Sequence, residues 1–390
     1  MKRICVLTAT RADYGLLAPI IKKLMRYDDL DVRVAVTGAH LSPEFGMTVS
    51  EIENDGIPID RKIQILLSSD TPSAISKSMG LAMISFADYF EELQPDALLV
   101  LGDRYETLAV ACAAMNARVP IFHLYGGETT EGAIDEGVRH ALTKLSNLHF
   151  VANEEFRKRA VQLGESPDRV FIVGAMGPEN AINMPKLSQP ELEDSLHIKL
   201  GERYAVLTFH PVTLEAGSAE RQTEELIRAI SRYPEIAFLC TKANADTEGR
   251  IINAKLEQLS EERENVFLFD SLGAKRYLSA LSHAAFAIGN SSSGLAEVPS
   301  IGIPTVNIGD RQKGRMRGPS VIDCAPEENS ICAAIEKALT PEFRTIAAEK
   351  ENPYGDGHAS AHISEIIHDR LTNGNLVLKK KFFDVDFTIK

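Results

Sequence analysis

The stretch Ala97-Leu98-Leu99-Val100-Leu101-Gly102-Asp103-Arg104, followed by Tyr105–Asn116 and then Ile121-Phe122-His123-Leu124-Tyr125-Gly126-Gly127-Glu128, decides the fold. Two short apolar runs each give way to glycine and a carboxylate, and between them Tyr105–Asn116 has the spacing of a helix. Runs that are apolar at consecutive positions belong to strands covered on both faces, as in a parallel sheet with helices on each side. The quoted segment is therefore a strand–helix–strand unit, and polar residues just after each strand are the place to look for chemistry.

Working outward, the same unit repeats. Further strands are predicted at Ile4–Thr8, Val32–Thr37, His149–Ala152 and Val170–Val173, with helices near Leu16–Tyr27, Ser73–Leu93, Asp135–Lys144 and Glu154–Leu163. The pattern pauses over 184–202, which carries two prolines and few apolar residues, and this reads as a linker and hinge. It then restarts with strands at Ala205–Phe209, Ile236–Cys240, Val266–Phe269, Ala285–Ile288, Thr305–Ile308 and Val321–Asp323. Helices are predicted at Glu220–Ile230, Thr247–Leu259, Ala274–Ser282, Leu295–Val298 and Asn329–Leu339. The expected fold class is α/β, with two Rossmann-like, doubly wound parallel-sheet domains at 1–183 and 203–360. Residues 361–390 read as a final helix, Ala361–Leu371, and a basic, aromatic tail ending at Lys390. Two such halves are expected to bring the carboxyl ends of their strands to a shared cleft.

Composition narrows the function. Over 390 residues, 44% are hydrophobic and 25% charged, the mix of a globular chain with ample core. The net charge is −13, from 42 basic and 55 acidic residues, which argues against a nucleic-acid partner. No apolar run approaches the about 18 residues of a membrane span, and no signal-peptide pattern opens the chain. Five cysteines without a Cys-x-x-Cys pair read as core thiols of a reducing, cytoplasmic setting. Scattered ligands without a His-Glu-x-x-His arrangement favour a metal-free site, and no Gly-x-Ser-x-Gly nucleophile motif is present.

The strand ends carry the candidates. Thr10-Arg11-Ala12-Asp13-Tyr14-Gly15 follows the first strand and offers Arg11 to a phosphate, with Asp13 either in the cleft or capping the helix. It lacks the Gly-x-Gly-x-x-Gly of nicotinamide and flavin enzymes, so no such cofactor is expected. Asp103 suits acid/base work, with Arg104 placed to hold it or a substrate oxygen. Gly126-Gly127 lets backbone approach a ligand and sets Glu128 in the cleft. Asp135-Glu136 precede Arg139-His140 by one turn on the same helix face. Asp103, Glu128 and Asp135 together are more informative than any one of them.

In the second half, His210-Pro211 closes a strand, where the histidine can donate to a diphosphate. Gly289-Asn290-Ser291-Ser292-Ser293-Gly294 leads into a helix holding Glu297, an arrangement suited to phosphate or uridine, with Glu297 accepting from ribose hydroxyls. Arg311, Lys313, Arg315 and Arg317 form a local basic reversal in an acidic chain, to grip an anion or as a solvated loop.

With these motifs in order, the chain resembles the hydrolysing UDP-N-acetylglucosamine 2-epimerases of sialic-acid biosynthesis. The likeness runs from Thr8-Ala9-Thr10-Arg11-Ala12-Asp13-Tyr14 through Gly102-Asp103-Arg104, Gly126-Gly127-Glu128, Arg139-His140, His210-Pro211 and Gly289-Asn290-Ser291-Ser292 to Gly309-Asp310-Arg311-Gln312. The resemblance implies a glycosyltransferase-B-type fold with UDP held by the second domain, and N-acetylmannosamine and UDP as products, with no metal or nicotinamide. Non-hydrolysing relatives usually carry Arg-Pro-Glu where this chain has Arg11-Ala12-Asp13, which favours the hydrolysing branch. Leu16 stands where some members have lysine. Relatives acting on UDP-N,N′-diacetylbacillosamine, toward legionaminic acid, share the same motifs, so that sugar is the alternative substrate.

The expected partners are a UDP-sugar and UDP, and a homo-oligomer, dimer or tetramer, with the apolar Ser73–Leu93 helix as a possible contact face. Two rival readings are a glycosyltransferase, which would pass the sugar to an acceptor, and a nucleotide-sugar sensor, which would not need three carboxylates.

Overall fold

The computed structural model describes residues 1–67, 69, 71–129, 134–212, 217–243, 248–374 and 376–386. They divide into two compact units. The first comprises Met1–Glu128, Ile134–Met176 and the chain from His358 onward; the second comprises Thr129 and Gly177–Gly357.

The first unit is built on strands β1 (Lys2–Thr8), β2 (Leu30–Thr37), β3 (Ile59–Ile63), β4 (Ala97–Leu101), β5 (Ile121–Leu124), β6 (Leu148–Val151) and β7 (Val170–Ile172). They form one parallel sheet in the order β3-β2-β1-β4-β5-β6-β7. The second unit has β8 (Tyr204–Thr208), β9 (Ala237–Thr241), β10 (Val266–Phe269), β11 (Phe286–Gly289), β12 (Thr305–Ile308) and β13 (Val321–Cys324). Their order is β10-β9-β8-β11-β12-β13, again parallel. Each is thus a doubly wound α/β sheet as expected, and its order reverses between two central strands: β1 and β4 in the first, β8 and β11 in the second. In such sheets ligands bind outside the carboxyl ends of the strands beside that reversal.

Burial on both faces explains the legible strands. In the first unit Ile4, Val6, Leu99 and Phe122 face one apolar layer while Cys5, Leu98, Val100 and Ile121 face the other. The sequence pattern does not predict strand β3, and its composition shows why. Asp60, Arg61 and Lys62 interrupt it, because it is an edge strand whose side chains meet solvent and charged partners. Arg33 bonds Asp60 at 3.0 Å and Arg61 bonds Glu92 at 2.6 Å.

Several boundaries move for local reasons. The first helix is Arg11–Leu24, not Leu16–Tyr27, because Thr10 and Asp13 form a capping box that starts it at Arg11. The segment 184–202 holds a helix, Gln189–Leu196, opened by a second capping box from Ser188 and Glu191, and it lies inside the second unit. The helix expected at Leu295–Val298 is two short turns, Ser293–Ala296 and Val298–Ile301, separated at Glu297. The helix expected from Thr247 begins at Gly249, Thr247 itself lying outside the described residues. The final helix, Ala359–Thr372, packs into the first unit, where Ile363, Ile367 and Leu371 join the layer holding Leu17 and Ile21. His368 stacks on Tyr27 at 4.1 Å and bonds Asp29 at 2.9 Å, so chain distant in sequence completes this unit.

The five cysteines are free thiols, with Cys5, Cys240 and Cys332 buried. Among the described residues no helix is long and apolar enough to cross a membrane.

Candidate active site

In the first unit the loops after β1 and β4 flank the reversal. Thr10 accepts from the Asp13 N–H at 3.3 Å, and the Asp13 carboxylate accepts from the Thr10 N–H at 3.0 Å and the Ala9 N–H at 3.2 Å. Asp13 thus caps the helix and fixes Arg11 as its first residue. Burial raises the Asp13 carboxyl, while the Thr10 hydrogen bond and the Arg104 charge oppose the rise.

After β4, Gly102 turns the chain with φ +81°. Asp103 pairs with the guanidinium of Arg139, whose side chain is buried. Arg104 does not hold Asp103: it reaches the buried Glu106 at 3.2 Å and 3.3 Å. Arg139 also reaches Glu136 at 3.3 Å, and Glu136 meets His140 at 3.0 Å. These contacts bind the helix Asp135–Leu145 to the end of β4. Asp135 opens this helix one turn before Arg139.

After β5, Gly127 has φ +76°, and a Cβ there would stand 2.1 Å from the Phe156 carbonyl oxygen. Only glycine fits, and the turn carries the chain to a buried Glu128. Residues 130–133, between Glu128 and Asp135, lie outside the described residues.

In the second unit the residues after β8 and β11 interlock. The Asn290 side chain accepts the His210 N–H at 2.7 Å and donates to the His210 carbonyl at 2.8 Å. The Asn290 carbonyl in turn accepts from Arg311 at 3.1 Å and Gln312 at 2.9 Å. Gly289 makes the crossing possible, because a Cβ there would fall 1.9 Å from the Thr208 carbonyl oxygen. Burial first, and then the Arg311 charge, lower His210 to about 4, so its imidazole is neutral at neutral pH.

Ser291, Ser292 and Ser293 follow. Tyr277 donates to the Ser293 hydroxyl at 3.0 Å. Burial raises the Glu297 carboxyl, with a Ser293 hydrogen bond opposing it. Gly294 packs tightly on Thr305, where an added Cβ would come within 2.8 Å of the methyl carbon. Of the basic loop, Arg317 pairs with Asp323 at 2.6 Å and Lys313 lies 3.8 Å from Asp310. Arg311 alone among those cations is tied to the Asn290 turn by a described bond.

His123 and Tyr277, not singled out in the sequence, join these groups, as does Gln312 from the Gly309–Gln312 motif. His123 bonds the Gly102 carbonyl at 2.8 Å, Tyr277 holds Ser293, and Gln312 holds Asn290. A histidine inside an otherwise apolar strand was a readable signal. Tyr277 carries none, since it lies on a helix separate from the turn that holds Ser293. Among the described residues no group of three or more His, Cys, Asp or Glu side chains is arranged to hold a metal ion.

The chain matches the family described as UDP-N-acetylglucosamine 2-epimerase over residues 22–368. It is 41% identical over 387 residues to the GDP/UDP-N,N'-diacetylbacillosamine 2-epimerase (hydrolyzing) of Campylobacter jejuni, covering 98% of this chain and 99% of that one. It is 38% identical over 389 residues to the polysialic acid biosynthesis protein P7 of Escherichia coli, covering 99% and 98%. In fold it is similar to the UDP-GlcNAc 2-epimerase of Neisseria meningitidis solved with UDP-GlcNAc, with TM-score 0.82 at 21% identity over 95% of this chain and 100% of that one. A family match over most of the chain, and relatives this similar over nearly all of it, leave one conclusion: the chain belongs to the UDP-N-acetylglucosamine 2-epimerase family.

Proposed function

We propose that this chain is a hydrolysing 2-epimerase that converts UDP-N-acetylglucosamine and water to N-acetylmannosamine and UDP. The hydrogen on carbon 2 is not next to a carbonyl, so its direct removal is unfavourable. The anomeric C–O bond breaks instead, its electron pair leaving with the diphosphate. A carboxylate takes the carbon 2 proton, and the new C1=C2 bond gives 2-acetamidoglucal. Water then adds its oxygen to carbon 1 while a proton reaches carbon 2 on the opposite face, producing the manno configuration. Acid and base groups are needed on both faces, and Asp103, Glu128 and Asp135 fill those roles.

The second unit grips the nucleotide. The neutral His210 donates an N–H to the departing diphosphate, with Arg311 and the Asn290–Ser293 turn adding positive potential and hydrogen bonds. Glu297 accepts from the ribose hydroxyls, with Gly294 allowing the turn to close beside it. Arg139 holds the Asp103 carboxylate in place, and Arg104 is held by Glu106.

The observation that carries the reading is the Asp103–Arg139 pair at the end of β4, in a chain so similar to a hydrolysing 2-epimerase throughout its length. A second reading keeps the reaction and changes the sugar to UDP-N,N′-diacetylbacillosamine, and the 41% identity to the Campylobacter jejuni protein favours it. Incubation with each UDP-sugar and no acceptor, followed by NMR of the products, tests both. Release of UDP with the 2-epimer identifies the substrate. UDP release only with an added acceptor would make it a glycosyltransferase, and binding without turnover a sensor.

We also place a homo-oligomer contact on the helix Pro72–Leu93, which buries Phe86 and Phe90 in the core yet leaves Leu81, Met83 and Ile84 exposed. Light scattering of Ile84→Glu should show a smaller particle than the unmodified chain; equal masses would remove this assignment.

A further inference from the structure

His123 and His149 are register partners on β5 and β6, both fully buried, and the chemistry above uses neither. The His123 Nε2 lies 2.8 Å from the Gly102 carbonyl oxygen. A carbonyl only accepts, so Nε2 carries the proton and the tautomer is set. The Gly102 N–H meanwhile donates to the Leu124 carbonyl at 3.0 Å. Neighbouring residues of β5 thus hold both main-chain polar groups of the glycine that precedes Asp103. On its other side the His123 ring faces Thr143 at 3.4 Å, on the helix that carries Arg139, and Thr143 donates to the Arg139 carbonyl at 3.0 Å.

A second layer backs this pair. His149 donates through Nε2 to Glu165 at 3.1 Å. Burial would raise the Glu165 carboxyl, yet hydrogen bonds from His149, Lys144 and Lys380 bring it down to about 2. Lys380 comes from the carboxy-terminal tail. Its ammonium reaches both Glu165 oxygens at 2.9 Å and the carbonyls of Lys144 at 2.6 Å and Ser146 at 2.7 Å. The tail is tied at two further points: Asn147 donates to the Leu378 carbonyl at 3.2 Å, and the Phe383 N–H donates to the Gly164 carbonyl at 2.8 Å. The Phe382 ring covers Gly164, and the Lys144 ammonium sits 5.0 Å from its centre.

Such a cluster is a poor way to gain stability, because apolar residues of similar volume often serve a core as well or better. It is a good way to hold one geometry. We propose that His123 is a positioning residue for Asp103, acting through the Gly102 carbonyl, and that the carboxy-terminal tail braces the histidine pair through Lys380 and Glu165. The inference rests on the functional reading only for what Asp103 does once positioned.

The test compares full-length His123→Leu, His123→Gln and Lys380→Met with the unmodified chain by hydrogen exchange over residues 98–106 and by UDP-release kinetics. In His123→Leu the amides at 102–104 exchange faster, and kcat falls between about tenfold and a hundredfold, as small misplacements of a catalytic group do. KM stays within about twofold, since substrate binding is not what is lost. His123→Gln, whose amide nitrogen can still donate to Gly102, recovers most of both. Lys380→Met loosens 98–106 as well as 144–149. Unmodified exchange at 102–104 in both His123→Leu and Lys380→Met would overturn the proposal, leaving a core histidine and a docked tail. If His123→Leu does not fold, Lys380→Met decides by the same exchange measurement. If the unmodified chain releases no UDP from any UDP-sugar, the functional reading fails, while exchange at 102–104 still decides the positioning role.

Discussion

Asn290 and His210 hold each other through two hydrogen bonds, one in each direction, between the Asn290 amide and the His210 main chain at 2.7 and 2.8 Å. The pair sits at the reversal of the second sheet and sets where the imidazole and, through the Asn290 carbonyl, Arg311 stand. Replacing Asn290 by Ala leaves a buried N–H and a buried carbonyl without their partner. The expected cost is about 1–3 kcal/mol for a buried polar group left unsatisfied, with weaker UDP binding. Urea unfolding and calorimetric titration with UDP check it, and unchanged UDP affinity would separate this turn from the nucleotide.

The carboxylates should fail differently. Asp103→Asn and Glu128→Gln keep shape and lose charge, so turnover should drop at least about a hundredfold. UDP binding, assigned to the other unit, should remain near normal. Steady-state kinetics beside UDP titration give both numbers, and unimpaired turnover in both amides would remove these groups from the chemistry.

Acid should weaken the fold over a defined range. Burial lowers His40 to about 4, His123 to about 3 and His210 to about 4, from an ordinary value of 6.5. Below 6.5 the unfolded chain takes up protons that the folded chain refuses, so stability declines as pH falls toward 4 and is level above 6.5. Glu165 adds its loss only lower, between 4.5 and about 2. Each histidine contributes up to about 1.4 kcal/mol per pH unit within its window. His40 is the one to remove, since both its ring nitrogens bond threonines, Thr8 at 3.0 Å and Thr48 at 2.8 Å, and it has no part in the proposed chemistry. Urea midpoints at several pH values should show a shallower slope for His40→Gln.

Gly127→Ala should cost about 2 kcal/mol or more, since the residue has positive φ and its new Cβ meets a carbonyl oxygen. Activity should fall further than stability alone explains, because Glu128 moves with the turn. Thermal unfolding and kinetics at a temperature where the variant is folded separate the two effects.

Much of this fold is legible in the sequence. Strands such as Ala97–Leu101 and Thr305–Ile308 are continuous apolar runs because both their faces are covered, and they appear where their composition places them. The edge strand Ile59–Ile63 was hidden by its own exposure, since Asp60, Arg61 and Lys62 erase the apolar signal. The Arg139–Glu136–His140 cluster followed from helical spacing, whereas the Asp103–Arg139 pair did not, because it joins a strand end to a helix across 36 residues. Arg104, the obvious neighbour, turns to Glu106 instead. Lys380 and Glu165 were farther out of reach: their contact spans 215 residues and the tail reads only as basic and aromatic.

The central claim is that proton transfer at carbon 2, carried by carboxylates of the first unit, follows loss of UDP. Turnover in D₂O with NMR of the released sugar tests it most directly. The account predicts one deuterium at carbon 2 of every product molecule and almost none after Asp103→Asn, for want of turnover. Product formed at the normal rate with hydrogen retained at carbon 2 would contradict it.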